Sequence, residues 1–310
     1  MSIITIQTEE RVQFLDIHLF GYKSEGESII ILFKTDSGKI VFSGVIDSFE
    51  DQGVNKTIDL LKTENIRSLN FLCWTHPDKD HTLGLNDIIS NYVDKDTIIL
   101  LPSPLFTRKD SLTDVAQTVK DKLKKLAKQN FNIKLVHENN FFINFSTGVP
   151  EDLLKCKIST LLPSSNLVLS QSDNLQLKTN VHCILLNFEL NDCLNFTFCG
   201  DIEDDSIKYV VKIPEEISYF KIPHHGSSSS EGMLNFIKNN IEYGCCTNYV
   251  KHKLPDLGIL NQYSNKCNEI FITGENDINK NSHSFGEVYV SFNLIDRTST
   301  SQVNLNAKKY

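Results

Sequence analysis

The stretch Leu69-Asn70-Phe71-Leu72-Cys73-Trp74-Thr75-His76-Pro77-Asp78-Lys79-Asp80-His81-Thr82-Leu83-Gly84-Leu85 has three parts. The apolar run at 69–74 predicts a strand, and the apolar spacing from residue 83 onward predicts a helix. Between them, four side chains able to bind a metal fall within six residues: His76, Asp78, Asp80 and His81. His76 and Asp78 are two apart, so on extended backbone they point to the same side. Asp80 and His81 follow at the turn that opens the helix, and a helix N-terminus favours anions, a substrate phosphate included. Imidazoles mixed with carboxylates suit Zn²⁺ or Mn²⁺. A polar turn with Asp80 as N-cap explains Asp80 and leaves the other three residues without a role.

Periodicity predicts further strands at 11–18, 28–34, 39–46, 97–101, 132–136, 157–162, 181–189, 194–199, 217–222, 243–248, 269–273 and 287–293, with the strand above at 69–75. Helices are expected at 54–64, 83–92, 112–128, 203–211, 229–240 and 256–264. The clearest is 112–128, where Val115, Val119, Leu123 and Leu126 form one stripe among lysines. Strands run together at both ends of the chain with helices set between them. This predicts an α+β fold with helices packed outside sheets, not a strict βαβ alternation. Residues 163–180 and 275–285 read as loops. No repeat or linker divides the chain, so residues 1–310 are treated as one domain.

The 310 residues carry a formal charge of −8, with 40% hydrophobic and 23% charged residues. An acidic balance argues against a nucleic-acid coat protein, which carries a basic patch. It leaves a nuclease open, because bound divalent metals supply positive charge where phosphate sits. No apolar run approaches a membrane span, and the N-terminal residues lack the basic and apolar regions of a secretory signal. Eight cysteines include no C-x-x-C pair, and most sit in apolar runs. They are expected to be buried reduced thiols, and the expected compartment is the cytoplasm.

The string His76-x-Asp78-x-Asp80-His81 after a strand ending in Thr75 resembles the H-x-[HD]-x-D-H motif of the metallo-β-lactamase superfamily. Thr-His-Pro-Asp-x-Asp-His-x-x-Gly-Leu is similar to one branch: the metallo-β-lactamase domain of the DNA-uptake protein ComEC and its stand-alone relatives. Phe14-Leu15-Asp16-Ile17 and Gly26-Glu27-Ser28-Ile29 resemble that branch's opening strands, although a longer stretch replaces its tight Gly-rich turn. Val45-Ile46-Asp47, Phe198-Cys199-Gly200-Asp201-Ile202-Glu203 and Phe220-Lys221-Ile222-Pro223-His224-His225-Gly226-Ser227 follow in the family's order. Tyr249-Val250-Lys251-His252-Lys253-Leu254-Pro255 is similar to its N-x-Y-G-H-P, with two insert-like departures. The last two strands are matched at 271–276 and 286–290, so the resemblance spans residues 11–293.

The resemblance implies a metallo-β-lactamase-like four-layer αββα sandwich. It also implies two divalent ions, Zn²⁺ or Mn²⁺, on His76, Asp78, Asp80, His81, Asp201, His225 and His252. Asp201 is expected to bridge the ions, and Asp80, Asp201 and His225 to carry the chemistry. Adjacent side chains on extended backbone point opposite ways, so only one of His224 and His225 is expected as a ligand. His225 is taken as the ligand, and His224 as a substrate contact or ligand support. Asp47 is expected to support the metal loop, Ser227 to donate to phosphate or to start the helix at 229, Lys79 to meet phosphate or to be solvated, and His182 to be either a further ligand or a strand histidine. His18, His137 and His283 are read as surface or structural. The implied reaction is metal-assisted hydrolysis of a phosphodiester in DNA or RNA, in DNA processing or in defence against foreign nucleic acid. The partner is a nucleic acid or other phosphodiester, with a partner protein left open. A cyclic-nucleotide phosphodiesterase or lactonase on the same fold is the first alternative, and a metal-binding scaffold without turnover the second.

Overall fold

Residues Val12–Tyr22 form a strand buried along most of its length. Leu15, Ile17 and Leu19 enter one apolar cluster, while Phe20 and Tyr22 enter another. A strand with two apolar faces needs cover on both, and the layers of the fold supply it. The computed structural model describes residues 2–103, 112–136, 140–170, 179–238 and 240–310. His137 lies outside these residues.

Among the described residues the strands are β1 (Ser2–Gln7), β2 (Val12–Tyr22), β3 (Glu27–Thr35), β4 (Ile40–Ile46), β5 (Phe71–Cys73), β6 (Ile98–Pro102), β7 (Ile133–Val136), β8 (Asn140–Ser146), β9 (Leu154–Leu162), β10 (Leu185–Leu190), β11 (Leu194–Phe198), β12 (Ile217–Lys221), β13 (Ile241–Cys246), β14 (Cys267–Ile272), β15 (Phe285–Asn293), β16 (Thr298–Leu305) and β17 (Lys308–Lys309). The α-helices are α1 (Lys56–Thr63), α2 (Lys79–Thr82), α3 (Leu85–Tyr92), α4 (Asp114–Ala127), α5 (Ser165–Ser170), α6 (Asp204–Ile207) and α7 (Leu257–Ser264).

One sheet has nine strands in the order β1-β8-β9-β10-β11-β12-β13-β14-β17; the other has eight in the order β16-β15-β2-β3-β4-β5-β6-β7. Ile17, Ile31 and Phe33 of the second sheet meet Phe188, Phe196 and Phe198 of the first in a shared core. On the outer face of the eight-stranded sheet, Leu61 of α1, Ile88 of α3 and Val119 of α4 pack on Ile30, Leu32 and Leu72. On the outer face of the nine-stranded sheet, Leu167 of α5, Ile207 of α6 and Leu260 of α7 pack on Leu185, Phe220 and Ile222. The result is the four-layer αββα sandwich that the resemblance implied.

Helix α4 follows its sequence pattern. Thr113 caps it by accepting the Ala116 N–H at 3.3 Å, and Ala116, Val119 and Leu123 are buried. The helix expected at 229–240 is instead a 3-10 helix at Ser228–Asn235. There Gly232 gives its N–H to Asp204 Oδ1 at 2.8 Å, outside any helical ladder. The strand expected from residue 181 begins at Leu185, after a 3-10 turn at Thr179–His182. Helix α5 falls within the segment read as a loop from residue 163. The eight cysteines are unpaired, six of them buried. Among the described residues no helix is long and apolar enough to cross a membrane.

β4 and β5 run parallel in one sheet, and β11, β12 and β13 run parallel in the other. Their C-terminal ends carry the segments 47–49, 74–82, 199–203, 222–229 and 247–256. These segments meet along one rim of the sandwich, where Ile184 N–H reaches Thr75 O at 3.1 Å.

Candidate metal centre

The rim is organised by carboxylates that face away from the cleft. Asp47 follows β4 with a left-handed φ of 55°. Its Oδ1 accepts the Thr75 N–H at 2.7 Å, and its Oδ2 accepts the Thr75 hydroxyl at 2.5 Å. The same Oδ2 lies 2.8 Å from His81 Nδ1. A carboxylate only accepts, so His81 carries its proton on Nδ1. Thr75 has given its one proton to Asp47, so its oxygen accepts from His76 Nδ1 at 3.0 Å. His225 repeats the pattern through Thr247: Nδ1 is 2.7 Å from the Thr247 hydroxyl, which donates to Glu27 Oε2 at 2.6 Å. Three fully buried histidines thus have Nδ1 protonated and Nε2 turned to the same space. Metal-ligating histidines are prepared in this way, because the second nitrogen fixes tautomer and ring orientation.

Asp201 faces that space from the end of β11. It follows Gly200, whose φ is +50° and whose added Cβ would meet Cys183 Sγ at 2.5 Å. The Asp201 N–H donates to the same sulfur at 3.1 Å. Asp201 Oδ1 lies 3.3 Å from His81 Nε2, and Oδ2 lies 3.4 Å from His225 Nε2. Asp80 Oδ2 is 3.1 Å from His225 Nε2 and 3.5 Å from His81 Nε2. Donor atoms of Glu27, His81, Asp201 and His225 lie within 4.8 Å of one another, as do those of Asp47, His76 and His81.

The fit of this set to divalent ions can be read from groups left without partners. His76 Nε2, His81 Nε2 and Asp201 Oδ1 are buried and lack hydrogen-bond partners in proper geometry. Orphaned buried polar atoms are costly, and here they converge on one point in the chemistry that Zn²⁺ or Mn²⁺ takes. Charge agrees. Burial disfavours imidazolium, yet the carboxylate of Asp201 leads Asp80 and Glu27 in holding His81 well above the ordinary histidine value. His225 is likewise raised, against burial and chiefly by Asp201, to about 9. Burial also disfavours the Asp201 carboxylate, but His225 and His81 hold it far below its usual range. The buried carboxylates thus concentrate negative charge around His81 and His225, the charge that divalent ions would offset.

The turn after β12 differs from the extended backbone expected there. His224, His225 and Gly226 have φ values of 46°, 51° and 72°, three left-handed residues in a row. Left-handed backbone rotates successive side chains toward a common side. Both rings therefore reach Asp201: His224 Nε2 lies 3.9 Å from Oδ2, against 3.4 Å for His225. His225, taken as the ligand, lies the nearer of the two to Asp201. His224 Nδ1 is 2.9 Å from Ser229 Oγ and 3.5 Å from Glu203 Oε1.

A cavity of about 620 Å³ opens over these groups, lined by Asp78, Asp80, Asp201, His224, Tyr249 and His252 among others. Asp78 stands at its mouth, with a side chain 38% exposed and Oδ2 3.7 Å from His76 Nε2. Its Oδ1 accepts the Thr179 hydroxyl at 2.6 Å. Asp78, not Asp80, is the residue preceding α2, and its side chain makes no capping bond. His252 does not join the converging donors. Val250–His252 form a 3-10 turn, closed by left-handed Lys253. The turn carries His252 to the exposed rim. There its ring lies 5.0 Å edge-on from Tyr249, which in turn lies 5.2 Å from the His225 ring. His182 is buried on the Thr179–His182 turn and is also outside the converging set. Lys79 is paired with Glu25 at 2.9 Å, and Ser227 caps the next turn by accepting the Ser229 N–H at 3.2 Å.

No protein-family model matches the chain, and no curated protein matches it. Among solved structures, the chain is similar to a diphosphatase from the PhnP family, at 12% identity over 74% of this chain and 86% of that one, with a TM-score of 0.33. A likeness to the central domain of yeast acetyl-CoA carboxylase has 9% identity over 94% of this chain and 48% of that one, with a TM-score of 0.17. At these scores neither superposition weighs on fold or function.

Sequence reasoning missed Thr75, Thr247, Cys183, Tyr249 and the ion pair of Glu27 with Lys221. Lys221 did leave a signal: it interrupts the apolar strand Tyr219-Phe220-Lys221-Ile222, and a lysine is almost never fully buried without a partner. The threonines left none, since buried strand-end threonines are common.

Proposed function

We propose that the protein is a metal-dependent hydrolase of phosphodiesters, with DNA or RNA as its substrate. The observation that carries this reading is the set of three buried imidazoles, each with Nδ1 tied toward a carboxylate and Nε2 aimed at the space beside Asp201 and Asp80. Two divalent ions, Zn²⁺ or Mn²⁺, bound there would acidify a water to give a nucleophile near neutral pH and offset charge on the phosphoryl oxygens. His76 and Asp78 are assigned to one side of the pair, Asp80, His81 and His225 to the other, and Asp201 between them. Asp201 suits that place because its two oxygens face different histidines. His224, with 17% of its side chain exposed and its Nδ1 held by Ser229, is assigned to the leaving oxygen.

A second reading is a small phosphodiester such as a cyclic nucleotide. It is favoured by the bounded cavity of about 620 Å³, whose lining includes Asp78, Glu203 and Asp256 as well as Lys253. Polymer binding draws on a positive track along the phosphates. The test is cleavage of labelled single- and double-stranded DNA and RNA, alongside cyclic nucleotides, with Mn²⁺, Zn²⁺ or EDTA. The Asp80→Ala/His81→Ala protein is the control. Metal-dependent polymer cleavage that the double substitution abolishes is expected. Turnover of cyclic nucleotides alone transfers the assignment to the second reading, and no turnover of any phosphodiester by the metal-loaded protein overturns both.

A further inference from the structure

Two fully buried charges lie behind the metal centre. Glu27 opens β3 at the turn made by Gly26, where φ is +100° and an added Cβ would strike the Phe49 ring. Its Oε2 lies 2.7 Å from Lys221 Nζ, with both side chains at 1% exposure or less. The ammonium also donates to Ile222 O at 3.1 Å. The pair joins β3 of one sheet to the end of β12 in the other. Replacing such a pair with apolar residues is often neutral for stability, so stability is a weak reason for its presence. Its connections point elsewhere. Glu27 Oε2 also takes the Thr247 proton, and that leaves the Thr247 oxygen only to accept from His225 Nδ1.

We propose that Glu27, fixed by Lys221 and acting through the Thr247 hydroxyl, is a positioning residue that holds His225 in its metal-binding tautomer and orientation. This rests on the reading of the cluster as a metal site. The Asp47 carboxylate acts directly on His81 and through Thr75 on His76; the Glu27 carboxylate does the same for His225 through Thr247. Neither Glu27 nor Lys221 lines the cavity over the site; Glu27 stands 3.7 Å from His225 Nδ1 and 4.0 Å from His81 Nδ1, and its hydrogen-bonded route to the site runs through Thr247 to His225. Without the hydroxyl, His225 Nδ1 loses its acceptor, and neither the ring plane nor the tautomer that frees Nε2 is fixed.

The test is metal affinity, measured by competition with a fluorescent chelator using Mn²⁺ and Zn²⁺ separately on the full chain. Thr247→Val keeps the shape and removes the relay; Thr247→Ser restores the hydroxyl. Unfolding midpoints taken in excess chelator report the structural effect alone. Thr247→Val is expected to weaken one of the bound ions by about 10–100-fold, the usual cost of losing a ligand-orienting partner, with Thr247→Ser within about threefold of the parent. A purely structural role would lower the midpoint and leave both affinities at the parental value, which overturns the proposal; so does equal weakening by Val and Ser. Should Thr247→Val not fold, Glu27→Gln/Lys221→Met decides. That variant keeps a neutral acceptor for Thr247 without the charge, and is expected to weaken the same ion by about tenfold. Parental affinity would overturn the proposal. If the parent protein binds neither metal, the metal-site reading itself fails, an outcome distinct from a parent that binds and variants that do not differ from it.

Discussion

Replacing Lys221 with methionine tests how far the buried ion pair is built into the folded state. The ammonium sits 2.7 Å from Glu27 Oε2, and neither side chain reaches water. Burial disfavours the Glu27 carboxylate, and the Lys221 charge is the main influence holding it below its usual range. At an effective dielectric of about 20, two charges at that separation attract by about 6 kcal/mol, an upper bound on the loss. Removing one partner of a buried pair costs about 3–5 kcal/mol in practice, because the other charge is stranded. Here the stranded carboxylate keeps one neutral donor, Thr247, in a region already holding Asp47, Asp80 and Asp201. Unfolding entropy of about 2.1 cal/mol/K per residue gives about 0.65 kcal/mol/K over 310 residues. Each kcal/mol is then worth about 1.5 °C, and Lys221→Met is expected to lower Tm by about 5–8 °C. The assay is thermal unfolding by circular dichroism in excess chelator, so that metal binding does not mask the loss. Glu27→Gln/Lys221→Met removes both charges and should recover at least half of the drop. A shift under about 1 °C for the single variant, or a double variant as unstable as the two single losses added, would show that the charges do not depend on each other as described.

Three further outcomes follow from other parts of the molecule. Saturating metal at about 100 times Kd stabilises by about 2.7 kcal/mol per ion; two ions should therefore raise Tm by about 8 °C, against no change for Asp80→Ala/His81→Ala in the same scan. Glu287 is held below the ordinary glutamate value by His18, 2.7 Å away, against the effect of burial. Its stabilising contribution is fully present above about pH 4.5 and lost as pH falls through the depressed folded value; the gap in urea midpoint between the parent and Glu287→Gln should shrink between pH 7 and pH 3, and a constant gap would contradict this. Gly226→Ala places a Cβ on a backbone of φ +72°, 3.0 Å from Pro255 Cβ; a cost of about 1–2 kcal/mol, or about 2–3 °C, is expected in chelator, with weaker metal binding because His225 must shift with it.

The layering was legible because β2, β3 and β4 are apolar and helix α4 carries a stripe at helical spacing, so burial dictated both. β16, Thr-Ser-Thr-Ser-Gln-Val-Asn-Leu, was missed for the converse reason: it pairs at a sheet edge with little burial, and its sequence carries no alternation. β8 was missed although Phe141, Ile143 and Phe145 alternate inward; its intervening Phe142 and flanking asparagines blur that alternation in the sequence. At the site, His76, Asp80, His81 and Asp201 could be picked out because imidazoles and carboxylates cluster directly after apolar strands. The left-handed turn at His224 and His225 could not, since only Gly226 marks it and positive φ is uncommon for any residue but glycine. His252 lies on the exposed rim of the same cavity, because the residues inserted around it carry its side chain outward, which a motif match does not show.

The decisive quantity is the metal content of the chain. Protein loaded with Mn²⁺ or Zn²⁺ and dialysed exhaustively should retain two ions per chain by mass spectrometric metal analysis. Asp201→Ala, which removes the carboxylate lying between His81 and His225, should retain at most one. A parent chain that holds no ion, or an Asp201→Ala chain that still holds two, would contradict a binuclear centre built around Asp201.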